Sequence, residues 1–96
     1  MDAQVIHDEE SQEFTIELDG GDQAELAYAK PQDDVLDFQH TFVPADYRGE
    51  GLADKLIKTG LEYAQENNYK VIPSCQAVAA YMRRHKEYES LMKSFM

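Results

Sequence analysis

The chain has few of the features that mark a secreted or membrane-bound protein. Its 96 residues include one cysteine, Cys75, so no internal disulfide can form and a reducing, cytoplasmic setting is expected. No stretch approaches the roughly 18 consecutive apolar residues of a membrane span. The N-terminal residues have neither the basic nor the apolar region of a secretory signal. The length predicts a single domain over residues 1–96.

Basic side chains are also scarce. The net charge of −10 argues against nucleic acid as a partner, because a phosphate backbone needs a basic footprint. The histidines show no metal-ligand spacing, so no metal site is expected. Residues 1–37 carry twelve acidic side chains and one lysine, whereas residues 38–96 carry seven acidic and eight basic ones. We therefore expect any anion site in the second half, and a solvated sheet face in the first, with a cation-binding surface as the alternative.

Hydrophobic periodicity in the first half predicts an antiparallel meander. Apolar and polar residues alternate with the period of two that half-buried strands show. The predicted strands are Gln4–His7, Phe14–Leu18, Ala24–Tyr28 and Val35–Val43, with turns at Asp19–Asp22 and Pro31–Asp34. In the fourth strand, this alternation puts Leu36, Phe38, His40 and Phe42 on one apolar face.

The period changes to that of a helix after Pro44. One face of a helix that starts near Gly51 gathers Leu52, Leu56, Ile57, Gly60, Leu61 and Ala64. A short strand at Tyr69–Pro73, a helix at Ala77–Arg84 and a candidate third helix at Glu87–Met92 follow. The order predicts an α+β fold: a mostly antiparallel sheet of about five strands, a central helix across it and one or two C-terminal helices.

The turn between the fourth strand and the first helix is the segment best suited to bind an anion. A helix start leaves backbone N–H groups unpaired at the positive end of the helix dipole, and both features attract phosphate. Gly49 and Gly51 allow an anion to approach the backbone closely, and Arg48 adds a positive fork. The alternative is a plain glycine-containing turn with a solvated arginine.

This turn resembles a known signature. The run Val43-Pro44-x-x-x-Arg48-Gly49-x-Gly51-Leu52-Ala53 is similar to the acetyl-CoA-binding motif of the GNAT acyltransferase superfamily, R/Q-x-x-G-x-G/A. The wider chain resembles the compact, single-domain YjdJ-type N-acetyltransferases. That likeness rests on the opening strands, the His40-Thr41 pair, and the segment from Val71 to Cys75 followed by Tyr81 and His85.

The resemblance implies a GNAT-like fold with acetyl-CoA as cosubstrate. In this superfamily the turn amides hold the CoA pyrophosphate, and the pantetheine arm lies between two splayed parallel strands, here Leu36–Val43 and Lys70–Pro73. The implied CoA contacts are Val43, Arg48, Gly49, Gly51, Leu52 and Ala53. The N-terminal helices that usually build the acceptor site are absent from this sequence.

Three side chains are candidates for the chemistry of acyl transfer. Cys75, at a predicted helix start, is a candidate nucleophile, or else it packs as a small hydrophobe. His40 is a candidate general base, or else a core histidine. Tyr81 is a candidate acid for the departing thiolate, or else a core residue.

The expected function is transfer of an acetyl group from acetyl-CoA to an unidentified amine, with Cys75 as a possible intermediate carrier. The alternatives are a non-catalytic acyl-CoA-binding module and an interaction domain that uses the acidic sheet. We expect no membrane partner. The sequence has no interface signature, so a monomer or weak dimer is expected.

Overall fold

Five strands form one sheet in the order in which they occur along the chain. The computed structural model describes residues 4–92. The strands are β1 (Val5–Asp8), β2 (Glu13–Glu17), β3 (Gln23–Gln32), β4 (Val35–Phe42) and β5 (Lys70–Ile72). The helices are α1 (Leu52–Glu66) and α2 (Gln76–Arg84), with short 3-10 helices at Asp19–Gly21, Ala45–Tyr47 and Lys86–Leu91. The predicted α+β fold is confirmed.

Strands β1 to β4 form the predicted antiparallel meander, and β5 then pairs in parallel with β4. The predicted turn at Pro31–Asp34 is too long, because β3 runs through Pro31 and the turn is Asp33–Asp34. The β3–β4 register is irregular between Ala29 and Gln32. Proline has no N–H to donate, and such irregular pairing is where a strand can accommodate it.

Helix α1 packs across one face of the sheet with the apolar face that the sequence predicted. All six residues of that face are buried: Leu52, Leu56, Ile57, Gly60, Leu61 and Ala64. A Cβ atom at Gly60 would lie 3.0 Å from the ring of Phe38 and 3.2 Å from Leu26. Glycine at this position therefore lets the helix lie close to the sheet.

Helix α2 and the 3-10 helix at Lys86–Leu91 pack into the same core as α1. Helix α2 buries Val78, Tyr81 and Met82 in the core that α1 shares with the sheet. The predicted third helix at Glu87–Met92 is a 3-10 helix at Lys86–Leu91, which buries Tyr88 and Leu91.

The alternation of inward and outward side chains in β4 reverses at Gln39. Phe38 pairs with Tyr28 but His40 pairs with Ala27, so Gln39 is the extra residue of a β-bulge. The prediction that His40 and Phe42 share the buried face of Leu36 and Phe38 is therefore wrong, and both are exposed. An inserted residue shifts the alternation by one position, so the side chains that follow it point to the opposite face.

Beyond this bulge, Thr41 occupies the inward position. It pairs with Leu26, whose side chain is fully buried in the core. The bulge thus replaces the expected histidine with a threonine on the face toward α1 and α2.

Candidate active site

The turn between β4 and α1 adopts a backbone conformation that requires glycine. Gly49 has φ of 88° and Gly51 has φ of 80°, in the left-handed region that side chains with a Cβ rarely adopt. No atom lies within 4 Å of the position that a Cβ would take at either residue. The two glycines therefore set the path of the chain and leave open space beside the backbone.

Helix α1 presents free backbone donors to this space. Its first helical hydrogen bond runs from the N–H of Lys55 to the C=O of Gly51, at 3.1 Å. The N–H groups of Leu52, Ala53 and Asp54 precede that bond and have no helical acceptor. Gly51 is the N-cap residue and has no side chain with which to cap them. The helix dipole makes this end electropositive.

A cavity of about 260 Å³ lies at the start of α1. Its lining includes all six residues that the GNAT resemblance implied as CoA contacts: Val43, Arg48, Gly49, Gly51, Leu52 and Ala53. The structure thus brings the predicted binding residues together. Tyr47 and Asp54 also line the cavity, and the sequence reasoning did not select them. Both lie within the same stretch of chain, so their position in sequence was an available signal.

Two arginines shape the charge around the cavity. The Nε of Arg48 donates a hydrogen bond to the C=O of Val43 at 3.1 Å, which holds the guanidinium beside the turn. Arg84, from α2, donates from one nitrogen to both carboxylate oxygens of Asp54, at 3.2 and 3.4 Å. The negative charge of Asp54 at the helix start is therefore balanced, although this pair is exposed and screened by water.

The parallel strands separate beside Cys75. Pairing between β4 and β5 covers three residues and ends at Asp37 and Ile72. The N–H of Cys75 still reaches the C=O of Phe38, at 2.8 Å, before α2 begins at Gln76. Within residues 4–92, no strand pairs with the β5 side of residues 39–42. We call these four residues the open edge of β4.

Cys75 lies half-buried where α2 begins, and its sulfur faces the open edge. The Oγ1 of Thr41 lies 3.3 Å from the Sγ of Cys75, within hydrogen-bond distance. Partial burial raises the pKa of the thiol. The Thr41 hydroxyl and the nearby N–H groups of Val78, Ala77 and Thr41 outweigh that effect and hold the pKa of Cys75 below its ordinary value.

His40 lies elsewhere than the sequence analysis expected. Its pairing with Ala27 directs it to the face of the sheet opposite α1, where it is exposed. Its neighbour Thr41, not His40, makes the contact with Cys75. Sequence reasoning missed Thr41 because strict alternation along the strand places it on the outer face. Only the bulge turns its side chain to the inner face.

Tyr81 packs in the core. Its ring stacks on His85 with the centroids 4.1 Å apart, and lies 6.2 Å from Tyr88. Burial raises the pKa of Tyr81, and the nearby Tyr88 and Asp54 raise it further. The core-packing interpretation therefore describes its surroundings, and its role as an acid stays a prediction.

The described part of the chain has neither a candidate metal site nor a candidate membrane span. No group of three or more His, Cys, Asp or Glu side chains in residues 4–92 is placed to hold a metal ion. No helix in that range combines the length and apolar character needed to cross a membrane.

The fold and the turn together define a class of protein. A mostly antiparallel sheet with one parallel pair that separates, next to a glycine turn at a helix start, is the arrangement that the GNAT resemblance implied. The profile of the GCN5-related N-acetyl-transferase family matches residues 13–91. The chain belongs to this family.

Individual relatives agree with that assignment. Protein NATD1 of Gallus gallus is 36% identical over 83 residues, which cover 85% of this chain and 76% of the relative. Protein NATD1 of Homo sapiens is 35% identical over 82 residues, 84% of this chain and 73% of the relative. The solution structure of a GCN5-like protein from Staphylococcus aureus matches with a TM-score of 0.75 and 25% identity, over 98% of this chain and 91% of that one.

Proposed function

We propose that this protein transfers the acetyl group of acetyl-CoA to an amine. The observation that carries the proposal is that the cavity at the start of α1 adjoins the open edge of β4. The cavity at the start of α1 includes Val43, which directly follows Phe42, the last residue of the open edge. A ligand with its phosphates in the cavity can therefore extend along the open edge to Cys75.

The cavity supplies donors for the CoA diphosphate. The free N–H groups of Leu52, Ala53 and Asp54 lie at the positive end of α1, which attracts an anion. Arg48 adds a charge-assisted donor from the turn. Arg84, which is held near the cavity by Asp54, adds a second positive group from α2.

The open edge supplies donors and acceptors for the pantetheine arm. An unpaired strand edge presents a row of backbone N–H and C=O groups that pair readily with another extended chain. Pantetheine carries two amides and is about as extended as a strand. The pairing of β4 with β5 ends at Ile72, which leaves this edge accessible along the residues that lead to Cys75.

In the proposed reaction, Cys75 receives the acetyl group first. Its thiolate attacks the thioester carbonyl, a new carbon–sulfur bond forms, and the CoA thiolate leaves and takes up a proton. The neutral amine then attacks acetyl-Cys75, a carbon–nitrogen bond forms, and the cysteine thiolate is released. The lowered pKa of Cys75 favours the thiolate that the first step needs.

The remaining proton transfers need a base and an acid. His40 belongs to the open edge and is exposed on the outer face, and it is the candidate to accept the proton that the amine loses. Asp37, on the same face, has a buried Oδ1 with no hydrogen-bond partner among the described residues. Tyr81 is the candidate donor to the departing CoA thiolate.

One observation favours a second function, a non-catalytic acyl-CoA-binding module. Ile6 and Phe42 lie at the two ends of one row across the outer face, and they are 45% and 42% exposed. Large apolar side chains this exposed leave the two ends of the row without a closed acceptor pocket. A protein that only holds the thioester does not need such a pocket.

Turnover and acylation separate the two functions. We incubate the protein with acetyl-CoA, measure thiol release with and without a panel of small amines, and determine the intact mass. The proposal predicts amine-dependent thiol release and an added acetyl group that Cys75→Ala lacks. Cys75→Ser is the matched control, since it replaces the thiol with a hydroxyl of similar size that is a far weaker nucleophile.

Each outcome supports one interpretation. Amine-dependent release that survives in Cys75→Ala means that the amine attacks acetyl-CoA directly. Binding of acetyl-CoA without release or acylation supports the binding module. Absence of binding contradicts both.

A further inference from the structure

The β-bulge at Gln39 brings Thr41 to the sulfur of Cys75. Without the bulge, the alternation of β4 would point Thr41 outward, away from both helices. With it, Thr41 faces inward opposite Leu26, and its Oγ1 lies 3.3 Å from the Sγ of Cys75. The N–H of Thr41 also acts on the sulfur. One residue of β4 therefore offers two donors to the thiol.

The start of α2 completes the surroundings of the sulfur. Cys75 is the N-cap residue of this helix, and the N–H groups of Val78 and Ala77 lie close enough to lower its pKa without forming a full capping hydrogen bond. The sulfur is thus surrounded by neutral donors from two elements, β4 and α2. Donors of this kind stabilise a thiolate more than a thiol.

We propose that Thr41 is a positioning residue, whose hydroxyl and N–H hold the sulfur of Cys75 as a thiolate at the open edge of β4. The inference rests on the proposed function in one respect, namely that Cys75 is the group that accepts the acetyl. A threonine hydroxyl has a single proton, and a thiolate can only accept, so the Thr41 O–H is the donor in the reactive state.

Two observations argue against a purely structural role for this contact. The backbone of Cys75 is already tied to β4 by its own N–H, which donates to the C=O of Phe38 at 2.8 Å. In addition, Thr41 lies in an inward row with Leu26, where valine would fill the same space without a hydroxyl. The threonine oxygen is therefore not needed to hold the segment or to fill the core.

Strand β4 and helix α2, which surround the sulfur of Cys75, carry few titratable side chains. Strand β4 carries Asp37 and His40, which its register directs to the outer face. Helix α2 carries Tyr81 in the core, and Arg83 and Arg84 in its last turn. His40 lies between the bulge residue Gln39 and Thr41. The test therefore includes a variant background in which His40 is replaced.

The test measures how the alkylation of Cys75 by iodoacetamide depends on pH. The full chain is used as wild type, Thr41→Val and Thr41→Ser, and modification is followed by intact mass between pH 6 and 10. Alkylation requires the thiolate, so a lower pKa moves the half-maximal rate to lower pH. We expect Thr41→Val to raise that midpoint by about one pH unit, and Thr41→Ser to restore it.

The same comparison is made in a His40→Gln background, where the shift caused by Thr41→Val should persist. If the Thr41→Val profile coincides with that of the wild type, or if the shift disappears without His40, the inference is wrong. Should Thr41→Val fail to fold, Thr41→Ala is measured against Thr41→Ser by the same criterion.

The failure of this inference and that of the proposed function give different results. A shifted alkylation profile without an acetyl adduct supports the positioning role and contradicts the acyl-cysteine step. An acetyl adduct with unchanged profiles supports that step and overturns the positioning role.

Discussion

The two halves of β4 differ in almost every property, although they belong to one strand. In the first half, residues 35–38 lie between β3 and β5, with residues 35–37 paired to β5, and Phe38 is 1% exposed. In the second half, Gln39 is the bulge residue, residues 40–42 pair with β3 alone, and Phe42 is 42% exposed. The first half is part of the core, whereas the second half forms an edge of the candidate active site.

A bulge and the loss of one partner strand separate the two halves. The bulge at Gln39 turns His40 outward and Thr41 inward. The end of β5 at Ile72 frees the backbone of the second half. The rigid half therefore holds the open half in place, as is common where reactive groups are carried by a stable scaffold.

The largest change in the free energy of unfolding is expected when a phenylalanine is replaced in the first half of β4, and the second half offers a phenylalanine for comparison. Phe38→Ala should lower the free energy of unfolding by about 3–5 kcal/mol, because it removes a fully buried ring beneath α1. Phe42→Ala should cost about 1 kcal/mol or less, because much of that ring is in water already. Urea denaturation measures both. Equal losses would contradict the division of β4 into a core half and an open half.

A second pair of substitutions compares the turn after the open half with a distant hairpin. Gly51→Glu should weaken acetyl-CoA binding at least tenfold, or about 1.4 kcal/mol, because a carboxylate would occupy the phosphate position. Gly20→Glu is the matched control, since Gly20 has φ of 78° against 80° for Gly51 and neither Cβ would meet an atom within 4 Å.

Both substitutions carry the same backbone strain, so they should destabilise the protein to a similar degree. Only Gly51→Glu should abolish the rise in thermal midpoint that acetyl-CoA causes. Equal rises in the two variants would place the ligand elsewhere.

A smaller effect is expected at the opposite edge of the sheet, where aromatic rings of β1, β2 and β3 pack together. His7 stacks on Phe14 with centroids 4.1 Å apart, and its Nε2 lies 2.6 Å from the hydroxyl of Tyr28. Burial lowers the pKa of His7 below its ordinary 6.5, although Glu9 and Asp8 oppose the shift.

The unfolded chain therefore binds the proton of His7 more readily than the folded protein does. The contribution of His7 to stability is present above about pH 6.5 and is lost as the pH falls toward the lower folded value. We expect the free energy of unfolding to fall more steeply between pH 7 and 5 in wild type than in His7→Gln. A steeper fall in His7→Gln would reverse the sign and contradict this account.

The smallest effect is expected at the ion pair between α1 and α2. Arg84→Ala removes an exposed bridge to Asp54, so the free energy of unfolding should change by less than about 1 kcal/mol. Its effect on acetyl-CoA affinity should decrease as salt is added, because screening weakens an exposed charge. A large, salt-independent loss of stability would mean that Arg84 has a packing role.

The sequence predicted the parts of the fold that follow from simple periodicity. The buried face of α1 was predicted residue by residue, because a helix without interruption keeps its period. The residues around the cavity were predicted as a group, because they are contiguous in sequence and need only one turn to meet.

The rest depended on contacts that no local pattern encodes. An inserted residue inverts every later side chain of β4, so His40 and Thr41 exchanged faces relative to the prediction. The contact between Thr41 and Cys75 joins residues 34 positions apart, and it exists only because β5 stops after three paired residues. Pro31 lies within β3 because an irregular register tolerates it.

The proposed function depends on the binding of acetyl-CoA by the free amides at the start of α1 and by the open edge of β4. Titration of isotope-labelled protein with acetyl-CoA, followed by amide chemical shifts, tests it most directly. The account predicts the largest shifts at residues 39–43 and 49–54, with residues 5–8 and 13–17 unchanged. Shifts confined to the far strands, or no shifts at millimolar acetyl-CoA, would contradict it.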